Sequence, residues 1–143
     1  MPLMHARAQR TLVGLLGAAF AVSIVHYADN YLNYDAYPVP TSGLSPSAGV
    51  ILASWFVFTA FGVAGLVLFG RRRVAPAAAC LAAYSVSGLV GFGHYTVPGA
   101  TGMPWWRQAH IVADIACGVA VLGFAFWSAR RLRLQSDEVS VAR

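Results

Sequence analysis

AGVILASWFVFTAFGVAGLVLFG, Ala48 to Gly70, followed at once by Arg71-Arg72-Arg73, is the stretch that decides the fold. It contains no charged residue and exceeds the roughly 20 residues a helix needs to cross a hydrocarbon core. Inside a bilayer every backbone N–H and C=O must find a partner within the protein, which a helix provides and an isolated strand does not. Three further apolar stretches follow the same pattern: about Thr11 to Tyr27, about Val74 to Tyr95 and about Gln108 to Trp127. The chain of 143 residues is 58% hydrophobic and only 10% charged, whereas a soluble domain carries about 25% charged residues. Too few charges remain to build a water-facing exterior, so most of the surface must face lipid.

The arginines orient these spans. All ten basic residues are Arg, and the net charge is +5. Arg7 and Arg10 precede the first span, Arg71 to Arg73 separate the second from the third, and Arg130, Arg131 and Arg133 follow the fourth. The two remaining loops, roughly Ala28–Ser47 and Thr96–Arg107, contain Arg107 alone. Cytoplasmic loops collect Lys and Arg, so both termini are expected in the cytoplasm. The expected fold is an all-α polytopic membrane protein, a four-transmembrane-helix up-down bundle. It forms one membrane domain over 1–143, with 130–143 as a cytoplasmic tail that frays and then loses order. A competing reading takes Arg7, Arg10, the apolar run and Ala19-Phe20-Ala21 as a cleavable secretory signal. Against it, Ser23 to Tyr27 continue the span without a break. The positive charge follows the spans rather than forming a nucleic-acid patch. The expected setting is a bacterial plasma membrane, with lipid as the first partner and further copies of the chain or a larger membrane complex as the others.

Cys80 and Cys117 lie in different apolar stretches at different depths, which favours packing thiols over a disulfide. Tyr27, Tyr31, Tyr34 and Tyr37, with Trp105 and Trp106, fall where an interfacial aromatic belt belongs. Pro38, Pro40 and Pro46, with Gly43, stop the helix from continuing, and a short outer cap on the bundle is expected. Small residues at helical spacing mark faces where backbones can approach: Gly14 with Ala18, Gly62 with Gly65, and Ser87 and Gly88 with Gly91. His26-Tyr27 and His94-Tyr95 close spans one and three, which puts the two histidines at one depth.

Chemistry concentrates in His26, Asp29, His94, His110 and Asp114. His26 and Asp29 are three apart and share a helix face if the first helix runs one turn further, with Asn30 and Asn33 extending that face. His110 and Asp114 are four apart, and Ser87 and His94 seven apart. An ionised carboxylate within the bilayer costs at least roughly 2.5–3.5 kcal/mol. Asp114 must therefore pair, hold a cation or take up a proton, and a histidine is its nearest available partner. The set suits a transition metal such as zinc, copper or iron by ligand type, with Asp29 and Asp114 as ligands or as carboxylates orienting the imidazoles. Two other readings compete. Haem b could be held by two of the histidines, or the groups could only hydrogen-bond one another and fix helix packing. The sequence thus points to a small integral membrane protein with an outward-facing His/Asp cluster. Its roles are metal binding, an accessory or structural subunit, or a haem- or metal-dependent enzyme acting on a lipid-phase substrate. No His-Glu-x-x-His, Cys-x-x-Cys or phosphate-binding glycine loop is present, and no run of residues matches a family motif. His5 reads as part of a solvated terminus.

Overall fold

A computed structural model describes residues 2–39 and 45–141, with side chains over 3–39 and 45–131. Pro40 and Gly43 lie outside the described residues. Four helices make up the chain: α1 (Pro2–Leu32), α2 (Ala48–Gly70), α3 (Val74–Leu89) and α4 (Trp105–Val141). Short 3₁₀ turns cover Tyr34–Ala36 and Ala100–Gly102, and a longer one, Val90–Thr96, continues from α3. Four helical segments are long and apolar enough to cross a membrane: Leu3–Leu32, Ala48–Gly70, Val74–Thr96 and Trp105–Arg131.

The second span keeps its expected bounds, Ala48–Gly70, and the other three differ from theirs. α1 holds 31 residues, about 46 Å at 1.5 Å per residue, and runs unbroken through Ala19-Phe20-Ala21. The extra turn after Tyr27 keeps His26, Asn30 and Asn33 on continuous or just-ended helix. The third span is not α-helical to Tyr95. It tightens to 3₁₀ geometry at Val90, so His94 arrives on a narrower spiral than a seven-residue repeat assumes. The tail expected to fray from Arg130 stays helical in its backbone to Val141.

Between α2 and α3 the three arginines form the turn itself. Arg72 adopts φ 59, while Arg72 N–H donates to Phe69 O and Arg73 N–H to Leu68 O, both at 2.9 Å. This is a Schellman closure, which uses a left-handed residue to satisfy the last carbonyls. An arginine stands where glycine would be easier, at about 1–2 kcal/mol. Charge at this turn is thus kept against the local backbone preference. At the other end of α2, Ser47 Oγ accepts from Val50 N–H at 3.4 Å and caps the helix.

The helices form a ring in which α1 touches α2 and α4, and α3 touches the same two. The main apolar core lies toward the arginine clusters and is centred on Leu12, Leu16, Phe69, Leu81, Val121 and Phe124. His5 belongs to this end and is not a solvated terminus. Its ring stacks on Phe69 at 4.8 Å, and its Nε2 is buried without a hydrogen-bond partner among the described residues. A second, smaller core at the opposite end joins Tyr37, Ala100 and Met103 from the two loops to Ile111 and Ile115 of α4. The expected cap therefore packs on the bundle. α2 buries only Gly62, Gly65 and Phe69. Val50, Phe56, Val57, Phe61, Val63 and Val67 stand exposed on it, an apolar exterior suited to lipid. Cys80 and Cys117 are free thiols.

Backbone meets backbone where α3 crosses α4. A Cβ on Gly118 would lie 2.8 Å from Ser85 O and 3.3 Å from Gly88 Cα, and one on Gly88 would collide with Asp114 O. Gly62 and Gly65 serve α2 similarly, facing Phe20, Tyr84 and Leu81. Gly14 and Ala18 do not: both are exposed, and a Cβ on Gly14 would meet nothing within 4 Å. In lipid, close approach at small residues replaces the hydrophobic drive that packs helices in water. Gly118→Val should therefore lower thermal stability in detergent by about 1–3 kcal/mol. Gly14→Val in the same unfolding assay should change little.

Candidate functional site

The five ionisable residues singled out by sequence do converge, at the end of the bundle remote from the arginine clusters. They sort into two tiers. In the deeper tier the buried Asp114 carboxylate meets His26: Nδ1 to Oδ2 is 2.7 Å. α1 and α4 are thereby joined by residues 88 positions apart. On its far side His26 Nε2 faces His94 Nε2 at 3.4 Å, and the Asn30 amide nitrogen approaches the same His94 atom at 3.4 Å. With an ionised Asp114, His26 Nδ1 carries a hydrogen and donates. His94 Nε2 offers either one hydrogen or one lone pair, so it cannot form full hydrogen bonds with His26 Nε2 and Asn30 Nδ2 at once, and both contacts stay long. Behind this chain Tyr27 donates to Ser87 O at 3.1 Å, and Ser87 Oγ to the Tyr27 hydroxyl at 3.3 Å, which ties α1 to α3. Tyr27 is thus a buried cross-link and not part of a belt.

Asp29 anchors the shallower tier. Arg107 grips its carboxylate with two nitrogens, Nε at 2.8 Å from Oδ2 and Nη2 at 3.4 Å from Oδ1. Tyr37 donates its hydroxyl to Oδ2, and Asn33 donates to Oδ1 at 2.8 Å. Arg107 also donates from Nη1 to Ala36 O at 3.1 Å and lies 4.5 Å over the Tyr37 ring, a cation–π contact. Burial and the neighbouring Asp29 carboxylate push the Tyr37 hydroxyl above the ordinary phenol range, so it stays a donor. Trp105, Trp106 and Tyr31 are the exposed aromatics left for an interfacial belt.

His110 bridges the tiers. Its ring lies 5.4 Å from that of His26 and 5.9 Å from that of Trp106. Its Nε2 is 3.3 Å from Asp29 Oδ2, within ion-pair range but off the line of a hydrogen bond, and neither ring nitrogen has a hydrogen-bond partner among the described residues.

This division bears on metal binding. Among the described residues no group of three or more His, Cys, Asp or Glu side chains is arranged to hold a metal ion. Asp29 is occupied by Arg107, Tyr37 and Asn33, and Asp114 by His26. Asp114 found a histidine, as its burial cost demands. The Arg107–Asp29 pair went unread in the sequence, although charge balance was the signal. Arg107 is the one basic residue of the two loops at this end, where Asp29 and Asp35 are the loop carboxylates.

Beside the deeper tier lies a cavity of about 490 Å³. His26, Asn30 and His94 line its head, and Tyr34 and Tyr37 its roof, while Val50, Ile51, Phe58, Val90 and Val97 supply apolar walls. Val50 and Val90 are more than half exposed, so the cavity reaches the side of the bundle between α2 and the 3₁₀ segment. No known protein family matches the chain, and no curated protein or solved structure matches it.

The Arg107–Asp29 pair is buried and hydrogen-bonded, and removing one partner of such a pair costs roughly 3–5 kcal/mol. Arg107→Ala should lower unfolding stability in detergent by about that amount. Adding Asp29→Ala should recover part of the loss, because the two sites share one interaction. Asp35→Ala, at an exposed carboxylate on the same loop, should stay within about 0.5 kcal/mol of the parent.

Proposed function

We propose that this is a multi-pass plasma-membrane protein, of bacterial type, which binds a lipid-phase molecule in the side cavity at its outward-facing end. The Asp114–His26–His94 chain handles the polar head of that molecule. Both termini are cytoplasmic and the four helices run up and down. Arg7, Arg10, Arg71 to Arg73, Arg130 and Arg131 support that orientation, with Arg107 alone on the other side. A periplasmic reporter fused after Ser45 should be active and one fused after Arg72 silent; the reverse pattern would invert the topology.

One observation carries the binding reading. A buried carboxylate–imidazole–imidazole chain ends on the wall of a cavity that is mostly apolar and open toward the side of the bundle. Ligand sites commonly combine roughly 300–1,000 Å³ of mostly apolar space with a few convergent polar groups. A purely structural cluster has no need of a cavity at its end. A second reading keeps a metal ion at the same place. The 3.4 Å between the two Nε2 atoms is about the edge two imidazoles span on a tetrahedral ion with bonds of about 2.0–2.1 Å. Asp114 would then orient His26.

Solvent extraction and mass spectrometry of the purified protein, with elemental analysis and a visible spectrum of the same sample, separate the readings. One lipid-phase compound per chain, lost on Val90→Trp and reduced on His94→Ala with the helices intact, is the expected result. Metal lost on His94→Ala would favour the ion, and a Soret band would favour haem b. A sample free of all three, in which His94→Ala only lowers the melting temperature, would leave a packing or accessory-subunit role.

A further inference from the structure

Hydrogen bonding around the cavity narrows what it can hold. Nearly every hydroxyl on its wall already donates elsewhere. Tyr34 donates to Pro46 O at 2.9 Å, Ser54 to Ile51 O at 2.7 Å, and Thr96 to Gly93 O at 2.8 Å. Tyr27 and Tyr37 are engaged with Ser87 and Asp29 as described, and Ser45 Oγ is 3.4 Å from the Tyr34 hydroxyl. Three side chains are left under-used. His26 Nε2, His94 Nε2 and Asn30 Nδ2 meet only at 3.4 Å, and Asn30 Nδ2 reaches His26 O at 3.5 Å. A full N–H hydrogen bond spans about 2.7–3.2 Å. His26 and Asn30 are nevertheless buried, where loosely met donors and acceptors are costly. Among the described residues the lining also contains no Asp, Glu, Lys or Arg, and Arg107 is engaged by Asp29.

We infer that the cavity takes an uncharged amphiphile with one hydrogen-bonding oxygen, a hydroxyl or carbonyl, seated among His26, His94 and Asn30. Its apolar chain leaves between α2 and the 3₁₀ segment. This rests on the binding reading above and adds the head's charge and number. An anionic head such as a phosphate would enter a wall that holds no arginine or lysine among the described residues. A second oxygen at the far end of the molecule would pass out beyond Val50 and Val90 into lipid, with nothing to bond.

Tritiated dodecanol, dodecyl phosphate and 1,12-dodecanediol share a chain and differ only in these two respects. Binding is measured to the full-length protein in phosphatidylcholine nanodiscs at equal mole fraction of probe in the membrane. Dodecanol should bind saturably, one per chain, about tenfold tighter than either relative, a difference of about 1.4 kcal/mol. Asn30→Leu should weaken dodecanol several-fold. Dodecyl phosphate or the diol binding as tightly as dodecanol overturns the single neutral head while leaving the cavity reading in place. No saturable binding of any probe, or binding indifferent to Val50→Trp at the exposed wall, overturns both. The comparison among probes uses the unaltered protein, so it decides between these outcomes even where Asn30→Leu fails to fold.

Discussion

A carboxylate in an apolar medium must find a partner, and the histidine end of this bundle is organised around that requirement at Asp114. The residue is held from two directions. Its backbone carbonyl lies against Gly88, where α3 and α4 approach too closely to admit a Cβ. Its side chain reaches across to His26 on α1. The glycine crossing thus sets the depth and azimuth of Asp114, and Asp114 sets the rotation of α1. His26 passes the constraint on to His94, which lies on backbone already tightened to 3₁₀ form. Three of the four helical spans are tied by one chain of side chains, and α2, which carries no ionisable group, stands outside it.

That exclusion of α2 has a structural counterpart. The helix rests on α1 and α3 through Gly62 and Gly65 near its middle and Phe69 near its end, and Trp55 Nε1 donates to Ser23 Oγ at 3.2 Å. Between Val50 and Phe58 it stands off from the polar tier, and the cavity fills the gap. The two ends of the bundle divide their tasks. Toward the arginine clusters, Leu12, Leu16, Leu81 and Val121 close the interior with apolar packing. Toward the histidines, polar contacts hold the helices while leaving space beside α2.

The Asp29–Arg107 pair secures the roof of that space. Arg107 opens α4, Asp29 ends the deep part of α1, and Tyr37 belongs to the intervening loop, so one carboxylate fastens three parts of the chain. Arg107 also holds the Ala36 carbonyl, which fixes the loop's path over His94; the Tyr37 and His94 rings lie 5.0 Å apart. The same pairing neutralises the arginine, and among the described residues no Arg or Lys lines the cavity below. Loop anchoring and the electrical character of the site are therefore two effects of one interaction.

Much of this was legible in residue types alone. Apolar runs of sufficient length specify helices in lipid because unpaired backbone groups are too costly there. Arginines mark span ends for the same kind of reason, and a lone buried aspartate near histidines announces a pair. These are one-body costs, readable without knowing what faces what. Rotation of the helices is a different matter. α2 is apolar all round, and lipid is as apolar as the core, so no periodic pattern tells its inner face from its outer one. Gly14 and Ala18 have the spacing of a packing face yet point outward, while Gly88, singled out by its spacing, forms the tightest crossing against Gly118, which was not. Whether His26 or His110 met Asp114, whether Tyr27 and Tyr37 turned inward, and whether a cavity opened beside His94 depended on contacts between residues 60 to 88 positions apart. Such contacts are settled only when backbones dock, because a small rotation about a helix axis exchanges one candidate partner for another.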